Sequence, residues 1–506
     1  MIKFIAKRLG ISLVILFLGS ALIYILTINS GDPLQGLRES NAPNRENLIR
    51  QRTINMRLDL PWYQRYLTWL GGASKCLVGA CNLGKNAAGQ DINSLVVNAA
   101  GSTLQLVFLA TVLAIFIGVT LGVVSAVRQY SGFDYATTLM AFVFFSLPVF
   151  WFAVLLKHYA AIQFNNWLVD PRFSVLTILV VAAIVGFILQ AAMGGPVKRR
   201  LMTFGAVAVV VAGVMFYFDA VMWFRRPAIG LPIYILGVLA VGTLILYLGA
   251  GLANKKVRNA VAATAVVSIV GYAVMRGTLL SDPSIWLLVG CGLAGVVAAF
   301  VIGFFLGGFS RKKAVIASVN LAVVSAFIAL VDLLLSNWNA YITIQSRPIP
   351  TVGSQTPNLT TDFWGHVIDT LTHLLLPTIT LTVVSIAGYT RYTRASMLDV
   401  LNQDYIRTAR SKGISERNVI TRHALRNSLI PLATIVAFDF AGLIAGAVIT
   451  ETVFGWQGMG NLFRTGLLAV DPNPVMGFYV VTGTAAVVMN MLADIAYAFL
   501  DPRISR

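Results

Sequence analysis

The stretch Asp404–Pro431, DYIRTARSKGISERNVITRHALRNSLIP, carries six basic residues (Arg407, Arg410, Lys412, Arg417, Arg422 and Arg426) against two acids, between runs too apolar to face water. A basic segment so placed has to lie at a membrane surface. Leu398, Leu401, Tyr405 and Thr408 recur at helical spacing, which predicts a helix running to Lys412 with one apolar stripe and one basic face. Gly413 supplies the left-handed residue that ends it. Ser415 is placed to cap a second helix starting at Glu416, whose carboxylate suits the positive end of the helix dipole, and Pro431 marks re-entry into the next apolar run. The product is a bent, basic hairpin of helices. Two readings of its charge stay open: an interfacial loop held by anionic lipid, or a docking element for a cytoplasmic partner.

Of the 506 residues, 57% are hydrophobic and 11% charged, against about 25% charged in soluble domains. The chain therefore reads as an all-α polytopic membrane protein. A net charge of +18 would suggest nucleic acid in a soluble protein, but here the basic residues fall mostly in short segments between apolar runs, where membrane orientation accounts for them. Three cysteines, with Cys291 inside an apolar run, make neither a disulfide scaffold nor a four-ligand zinc site, and the four histidines are scattered. No P-loop, nucleophile elbow, HExxH, CxxC pair or dinucleotide fingerprint occurs. No catalytic residue, metal or cofactor is expected in this chain, and any energy source has to come from elsewhere.

Lys3, Lys7 and Arg8 precede an apolar run from Leu9 to Ile28, long enough to cross a bilayer. The run is longer than a signal-peptide core and no small-residue cleavage site follows it, so residues 1–29 are expected to be a retained first span with a cytoplasmic N-terminus. The polar segment 30–98 then falls outside; segments of this length translocate largely regardless of charge. Cys76 and Cys81 lie there with four residues between them, in a compartment where disulfides persist, and a bridge or two free thiols both remain open. Gly79, Gly84, Lys85 and Asn86 spell GxxxxGKN. Asn86 replaces the Ser or Thr that a phosphate-binding loop requires and no strand precedes it, so that reading is rejected.

Residues 99–165 hold the second and third spans, Gly101–Val127 and Tyr135 to about Ile162, joined by RQYSGFDY. SLPVFWF, from Ser146 to Phe152, puts Pro148 inside the third, as a packing kink or as a bend lining a translocation path. Lys157 and His158 read as snorkelling or pore-facing groups in preference to metal ligands. Between 166 and 345 six further apolar runs appear, at about 173–195, 201–223, 229–252, 259–279, 284–308 and 314–335, each near spanning length. KRR (198–200), NKKVR (254–258) and RKK (311–313) alternate with outer turns holding only Arg225 and Arg226, plus Arg276 near a span end, so charge bias puts those three loops in the cytoplasm. Six is even, and the chain returns to the side it left.

Asp219 and Asp332 lie near span ends and are expected to anchor at the interface in preference to relaying protons. Residues 346–506 begin in a polar external loop that runs from Trp338 to Trp364, and HLLLP, His373–Pro377, opens a fourth core span ending at Arg391 and Arg394. The fifth is Ile430–Ile449. The sixth is Val475–Leu500, with Asp494 expected to serve helix packing and DPRISR expected to form a cytoplasmic tail.

DYIRTARSKG, continuing through RHALRNSLIP, resembles the cytoplasmic loop of the dipeptide, oligopeptide and nickel permease family of ATP-binding cassette (ABC) importers. In that family the loop holds a coupling helix that sits in a groove on the ATPase subunit. Arg407, Thr408 and Ala409 fall where the wider superfamily often has Glu-Ala-Ala, and Gly413 falls on its glycine. The GDP at Gly31–Pro33 is also similar. ETVFGWQGMGNLF, Glu451–Phe463, resembles the family signature ETxFxWPGLG through Glu451, Phe454, Trp456, Gly458 and Gly460, with Gln457 for proline and Met459 for leucine. CNLGKN departs from the family's GDLGxS-like motif.

The resemblance covers residues 1 to about 165 and about 346–506; the family normally has only an extracytoplasmic loop where the six further runs lie. It implies a six-span permease core with about six inserted helices, about 12 spans in all. It assigns ATPase coupling to a loop at 397–431, through Asp404, Tyr405, Arg407, Thr408, Ala409, Lys412, Gly413, His423, Arg426 and Pro431. It implies a second homologous permease, two ATP-binding subunits or domains that hold ATP and Mg, an extracytoplasmic solute-binding protein and a lipid surround. The expected location is a prokaryotic inner membrane with both termini cytoplasmic, and the expected cargo is peptides or related small solutes. One alternative is a secondary transporter driven by an ion gradient, a class that shows inverted repeats and polar midplane groups. A membrane enzyme or scaffold is the other, with the inserted runs as its only home.

Overall fold

A chain this apolar has to satisfy its backbone within each segment, and helices do so without neighbours. The computed structural model describes the backbone of residues 2–251 and 253–500, with side chains except at 2–9, 77, 192, 250, 441, 444–446 and 493–500. The expected tail at 501–506 and the side chains of Lys3, Lys7, Arg8 and Asp494 lie outside the described residues. Among those described, helix is the only extended regular structure, beside one isolated bridge between Lys85 and Asp91.

The first compact unit comprises residues 1–161, 351–354 and 373–506. It opens with α1 (Ile2–Ile28), followed in the polar segment by α2 (Gln35–Arg38), α3 (Arg45–Met56) and α4 (Trp62–Ser74). Next come α5 (Ile92–Val127), α6 (Gly132–Ser146) and α7 (Val149–Leu156). The second unit comprises residues 162–350 and 355–372. It contains α8 (Phe164–Leu168), α9 (Val175–Met193), α10 (Val197–Ala220), α11 (Gly230–Ile245), α12 (Lys255–Met275), α13 (Ile285–Leu306) and α14 (Arg311–Ile344). The helix α15 (Phe363–Leu401) begins in the second unit and belongs to the first from residue 373 onward. The first unit closes with α16 (Asp404–Ser411), α17 (Glu416–Asn418), α18 (Leu425–Gly446), α19 (Val448–Phe454), α20 (Met459–Leu468) and α21 (Pro472–Leu500).

Among the described residues nine helices are long and apolar enough to cross a membrane, and the bent pair α6–α7 would make a tenth. The protein is thus an all-α integral membrane protein. Of the twelve expected spans, α9 has an apolar stretch of only Val175–Ala191, and α18 contains side chains outside the described set.

Three boundaries differ from the sequence reading. The third span is broken, not kinked: it turns by 101° between α6 and α7. Leu147 and Pro148 are both extended there, with ψ of 125° and 127°, because proline disfavours a helical residue before it. Pro377 does not open a helix but sits inside α15, which starts at Phe363. The loop expected from Trp338 starts later, because α14 runs on to Ile344.

In the second unit the caps are explicit: Ser174, Asn254 and Ser284 accept the backbone N–H of Thr177, Val257 and Leu287 at the starts of α9, α12 and α13, each worth about 1 kcal/mol. Asp332 corrects the interface expectation. It is fully buried, where it accepts the Gly230 N–H at 2.7 Å and the Tyr272 hydroxyl and pairs with Arg276 at 3.0 Å. One carboxylate thereby ties α11, α12 and α14 together, as a buried charge requires of its partners. Asp219 stays near an end, accepting the Phe173 N–H at 2.7 Å.

Candidate functional site

The basic stretch forms a hairpin, with its helices cut differently from the apolar periodicity. The chain leaves α15 at Leu401, and Gln403, extended at ψ 150°, starts α16 at Asp404. This break rotates the stripe by one position. Ile406 and Ala409 face inward, fully buried and 6% exposed, while Tyr405 and Thr408 stay outside. Ile406 and Ala409 pack with Met397, Val419, Ala424 and Ala126 of α5, and burying one such isoleucine contributes about 1.5–3 kcal/mol.

Gly413 takes φ +72° and donates to the Arg410 carbonyl at 2.9 Å, while Ile414 reaches back to the Ala409 carbonyl at 3.3 Å. Ile414 then joins the same apolar cluster, so the turn is closed by backbone geometry and a hydrophobic contact together. Ser415 begins α17, but its hydroxyl makes no capping bond; its carbonyl instead accepts from Asn418 and Val419. The return arm passes through a wider turn at Val419–Ala424, which holds the half-buried His423, into α18. Pro431 lies inside α18, not at its entry.

Outside this packed underlay, Asp404, Arg407, Arg410, Lys412, Arg417, Arg422 and Arg426 are exposed. Two arms are clasped: Arg410 donates to both oxygens of Glu416, at 2.7 and 3.2 Å, which holds the Glu416 carboxyl below its ordinary range. Asn427 donates to the Tyr405 hydroxyl at 2.8 Å. The result is a rigidly backed face of guanidinium and ammonium groups. Such a face presents charge without spending the apolar side chains that hold it up.

A second anchor fixes the neighbouring turn. Asp134 is 2% exposed and takes a two-pronged bond from Arg394, at 2.7 and 2.9 Å. Ser125 donates to the same carboxylate, as does the Tyr130 N–H at 3.0 Å. The turn between α5 and α6 is thereby tied to the segment of α15 that leads into the hairpin. The residue types were visible as an acid in RQYSGFDY and an arginine at a span end, but their pairing across 260 positions was not.

The signature at Glu451–Phe463 folds into a buried carboxylate latch. Glu451 is fully buried; it accepts the Thr103 hydroxyl of α5 at 2.6 Å and the Asn461 N–H at 3.1 Å. Its burial pushes the carboxyl above its ordinary range, partly offset by these donors. Thr103 in turn accepts the Met459 N–H at 2.8 Å, so one acid and one hydroxyl satisfy the first turn of α20. Gly458 and Gly460 permit the approach: a Cβ on Gly458 would lie 2.3 Å from the Glu451 carboxylate, and one on Gly460 2.5 Å from the Val448 Cα. Gly455 at φ +58° makes the turn. Phe454 and Trp456 are buried, and the Trp456 ring N–H donates to the Ser102 carbonyl at 3.3 Å. Lys157 donates to the Val453 carbonyl at 2.9 Å.

The polar segment completes the first unit. Cys76 and Cys81 are joined by a disulfide. The rejected phosphate-loop stretch is an ordinary turn, in which the Asn86 side chain accepts the N–H groups of Ala88 and Gln90 at 3.1 and 2.8 Å. It docks on Asp471, which accepts the Ala87 N–H, and on Asn473, which donates to the Lys85 carbonyl at 2.7 Å.

Over residues 182–506 the chain matches the family described as binding-protein-dependent transport system inner membrane component. It is similar to the oligopeptide transport system permease protein OppB of Mycobacterium tuberculosis (strain ATCC 25618 / H37Rv), with 38% identity over 229 residues that cover 44% of this chain and 69% of OppB. It is also similar to the oligopeptide transport system permease protein AppB of Bacillus subtilis (strain 168), with 37% identity over 243 residues covering 46% of this chain and 74% of AppB. The dipeptide transport system permease protein DppB of Escherichia coli (strain K12) is 41% identical over 140 residues, 28% of this chain and 41% of DppB.

Proposed function

Because the chain belongs to the family of binding-protein-dependent transport system inner membrane components, we propose that it is the permease subunit of an ATP-driven ABC importer for di- or oligopeptides or related small solutes. The names of its relatives support the cargo class. The observation that carries the mechanism is the hairpin. Its charged face is exposed while Ile406, Ala409 and Ile414 bind it to the ends of α5 and α15. A partner pressing on Arg407, Arg410 and Lys412 would move a stiff body, and that motion would reach α15 and α18 through the packed underlay and the Asp134–Arg394 pair. Asp404, Tyr405, Thr408, Arg426 and the half-buried His423 line the same hairpin. Ala409 contributes from inside, by packing.

In this reading ATP and Mg are held by two ATP-binding subunits or domains. A second homologous permease completes the path, a solute-binding protein delivers cargo from outside, and lipid surrounds the assembly. The protein sits in a prokaryotic inner membrane with both termini cytoplasmic. The helices α9–α14 are an insertion. Since 229 residues are 69% of OppB, that relative has about 330 residues against the 506 here, and the surplus of about 170 matches the length of the six-run region.

Replacing Gly413 with valine tests the lever. A side chain at φ +72° costs roughly 1–2 kcal/mol, too little to unfold the protein, yet it misplaces the turn. The variant is expected to insert and to assemble with its ATPase but to lose ATP-dependent uptake in reconstituted vesicles. Unchanged uptake contradicts the lever. For the topology, cysteines placed in 198–200, 254–258 and 311–313 are expected to resist an impermeant external thiol reagent; labelling there overturns the assigned sidedness.

A further inference from the structure

Midway along the apolar run Ile430–Ile449 lies an acid that neither the latch nor the hairpin uses, Asp439 of α18. Its depth follows from the helices around it. The Ser396 hydroxyl donates to the Ser428 carbonyl at 2.9 Å, which ties α15 to α18 at the hairpin end. Asp439 stands eleven residues further along α18, about 16 Å at about 1.5 Å per residue. That is half the depth of a hydrocarbon core about 30 Å thick.

The carboxylate is held on one side only. Its Oδ2 accepts the Tyr389 hydroxyl of α15 at 2.6 Å. Tyr389 is 1% exposed and is clamped against α5, where a Cβ on Gly118 would lie 2.8 Å from the tyrosine Cβ, so the acid is fixed in place. Oδ1 has no hydrogen-bond partner among the described residues, and it is not a sealed, orphaned atom, because Asp439 is half-buried and keeps surface there. One turn on, Gly442 is exposed, and a Cβ on it would meet nothing within 4 Å. Room is therefore left beside the acid on the same side of α18. Asp134 and Glu451, by contrast, have both oxygens engaged within the chain. A half-open carboxylate at this depth is costly against lipid, so its open side has to face water or a polar group. A free oxygen in a low-dielectric setting suits a charged hydrogen-bond donor, and among the described residues no group of three His, Cys, Asp or Glu side chains stands ready to complete a metal site.

We propose that Asp439, positioned by Tyr389, receives the primary ammonium group of a peptide cargo, at its N-terminus or on a lysine side chain, as the cargo crosses the membrane. The cargo role rests on the importer reading above; the binding of ammonium does not, since it is measured without ATP.

The test uses the full chain in nanodiscs, with whatever subunits accompany it through purification. Infrared difference spectra of the carboxylate stretching band are recorded during titration with trialanine amide, whose ammonium is terminal, or with N-acetyl-Ala-Lys-Ala amide, whose ammonium is on the side chain. N-acetyltrialanine amide is the control without an ammonium, and none of the three carries a carboxylate. A saturable shift is expected with at least one ammonium probe, which identifies the source, and none with the control. Asp439→Asn keeps an oxygen for the Tyr389 hydroxyl and is expected to hold its melting temperature while abolishing the shift. Tyr389→Phe frees the carboxylate to turn and is expected to weaken the binding about threefold; it decides the matter if Asp439→Asn does not fold. In reconstituted vesicles Asp439→Asn is expected to slow ATP-dependent uptake of trialanine by about tenfold or more, as does the loss of a charged hydrogen bond. Absence of the shift, or a shift that Asp439→Asn retains, overturns the site whether or not the vesicles take up peptide. So does uptake by Asp439→Asn at the wild-type rate. A shift with no uptake by the wild type leaves the ammonium site standing and overturns the importer reading instead.

Discussion

The hairpin at 404–431 and the latch at 451–463 both carry family-like motifs, yet their residues are used in opposite ways. In the latch every conspicuous residue is consumed internally. Glu451 is spent on Thr103 and the start of α20, Gly458 and Gly460 on close approach, and Phe454 and Trp456 on packing. In the hairpin the conspicuous residues point out, and unremarkable ones, Ile406, Ala409 and Ile414, do the holding. A motif whose polar groups are satisfied within the chain specifies a fold. One whose charges stay exposed over a packed base specifies a meeting with something else.

The comparison predicts unequal responses to mutation. The largest effect is expected for Gly460→Val, since its Cβ would meet backbone that cannot give way; a loss of about 3 kcal/mol or more should appear as a steep fall in melting temperature or failure to accumulate. Glu451→Gln follows, at about 2 kcal/mol, because its amide would turn a donor toward the Thr103 hydroxyl or toward the Asn461 N–H. Wild-type melting temperature in that variant would show that the latch carries no load.

A smaller, pH-dependent effect is expected at Asp471, beside the latch. Burial raises its carboxyl from the ordinary 3.8 to about 6, against the lowering pull of the Ala87 and Asn473 N–H groups and Arg52. The folded state therefore holds this proton more firmly than the unfolded chain, and stability falls as pH rises from about 4 through 6. Between pH 7 and pH 5 the wild type should gain about 1 kcal/mol from this group, measurable as a larger hydrogen-exchange protection factor in residues 84–91 once the pH dependence of intrinsic exchange is divided out. Asp471→Asn should remove that dependence. The smallest effect is expected in the hairpin: Arg410→Gln breaks an exposed pair and should change stability by less than about 0.5 kcal/mol. A large loss there would mean that the basic face is structural after all.

Membrane class, the basic hairpin and the apolar runs that become α9–α14 were legible because each rests on local composition or period. The stripe was displaced by one residue because the break at Asn402–Gln403 resets the helical phase, which periodicity across Leu398 to Thr408 cannot reveal. Pro377 and Pro431 were read as boundaries, yet both lie inside helices, where neighbouring helices and local backbone adjustment tolerate proline in a membrane protein. The latch's key partner was out of reach, since Thr103 and Glu451 are separated by 348 positions. Asp332 was misplaced for a similar reason: its burial is set by Tyr272 and Arg276 on another helix.

The central claim is that the exposed face of the hairpin meets an ATP-hydrolysing partner. A photo-crosslinking residue placed at Arg407 or Arg417, with a control at exposed Thr465 of α20, tests this in native membranes. The account predicts an adduct with an ATP-binding polypeptide from the two hairpin positions and none from the control. Capture of lipid alone by the hairpin positions would contradict it.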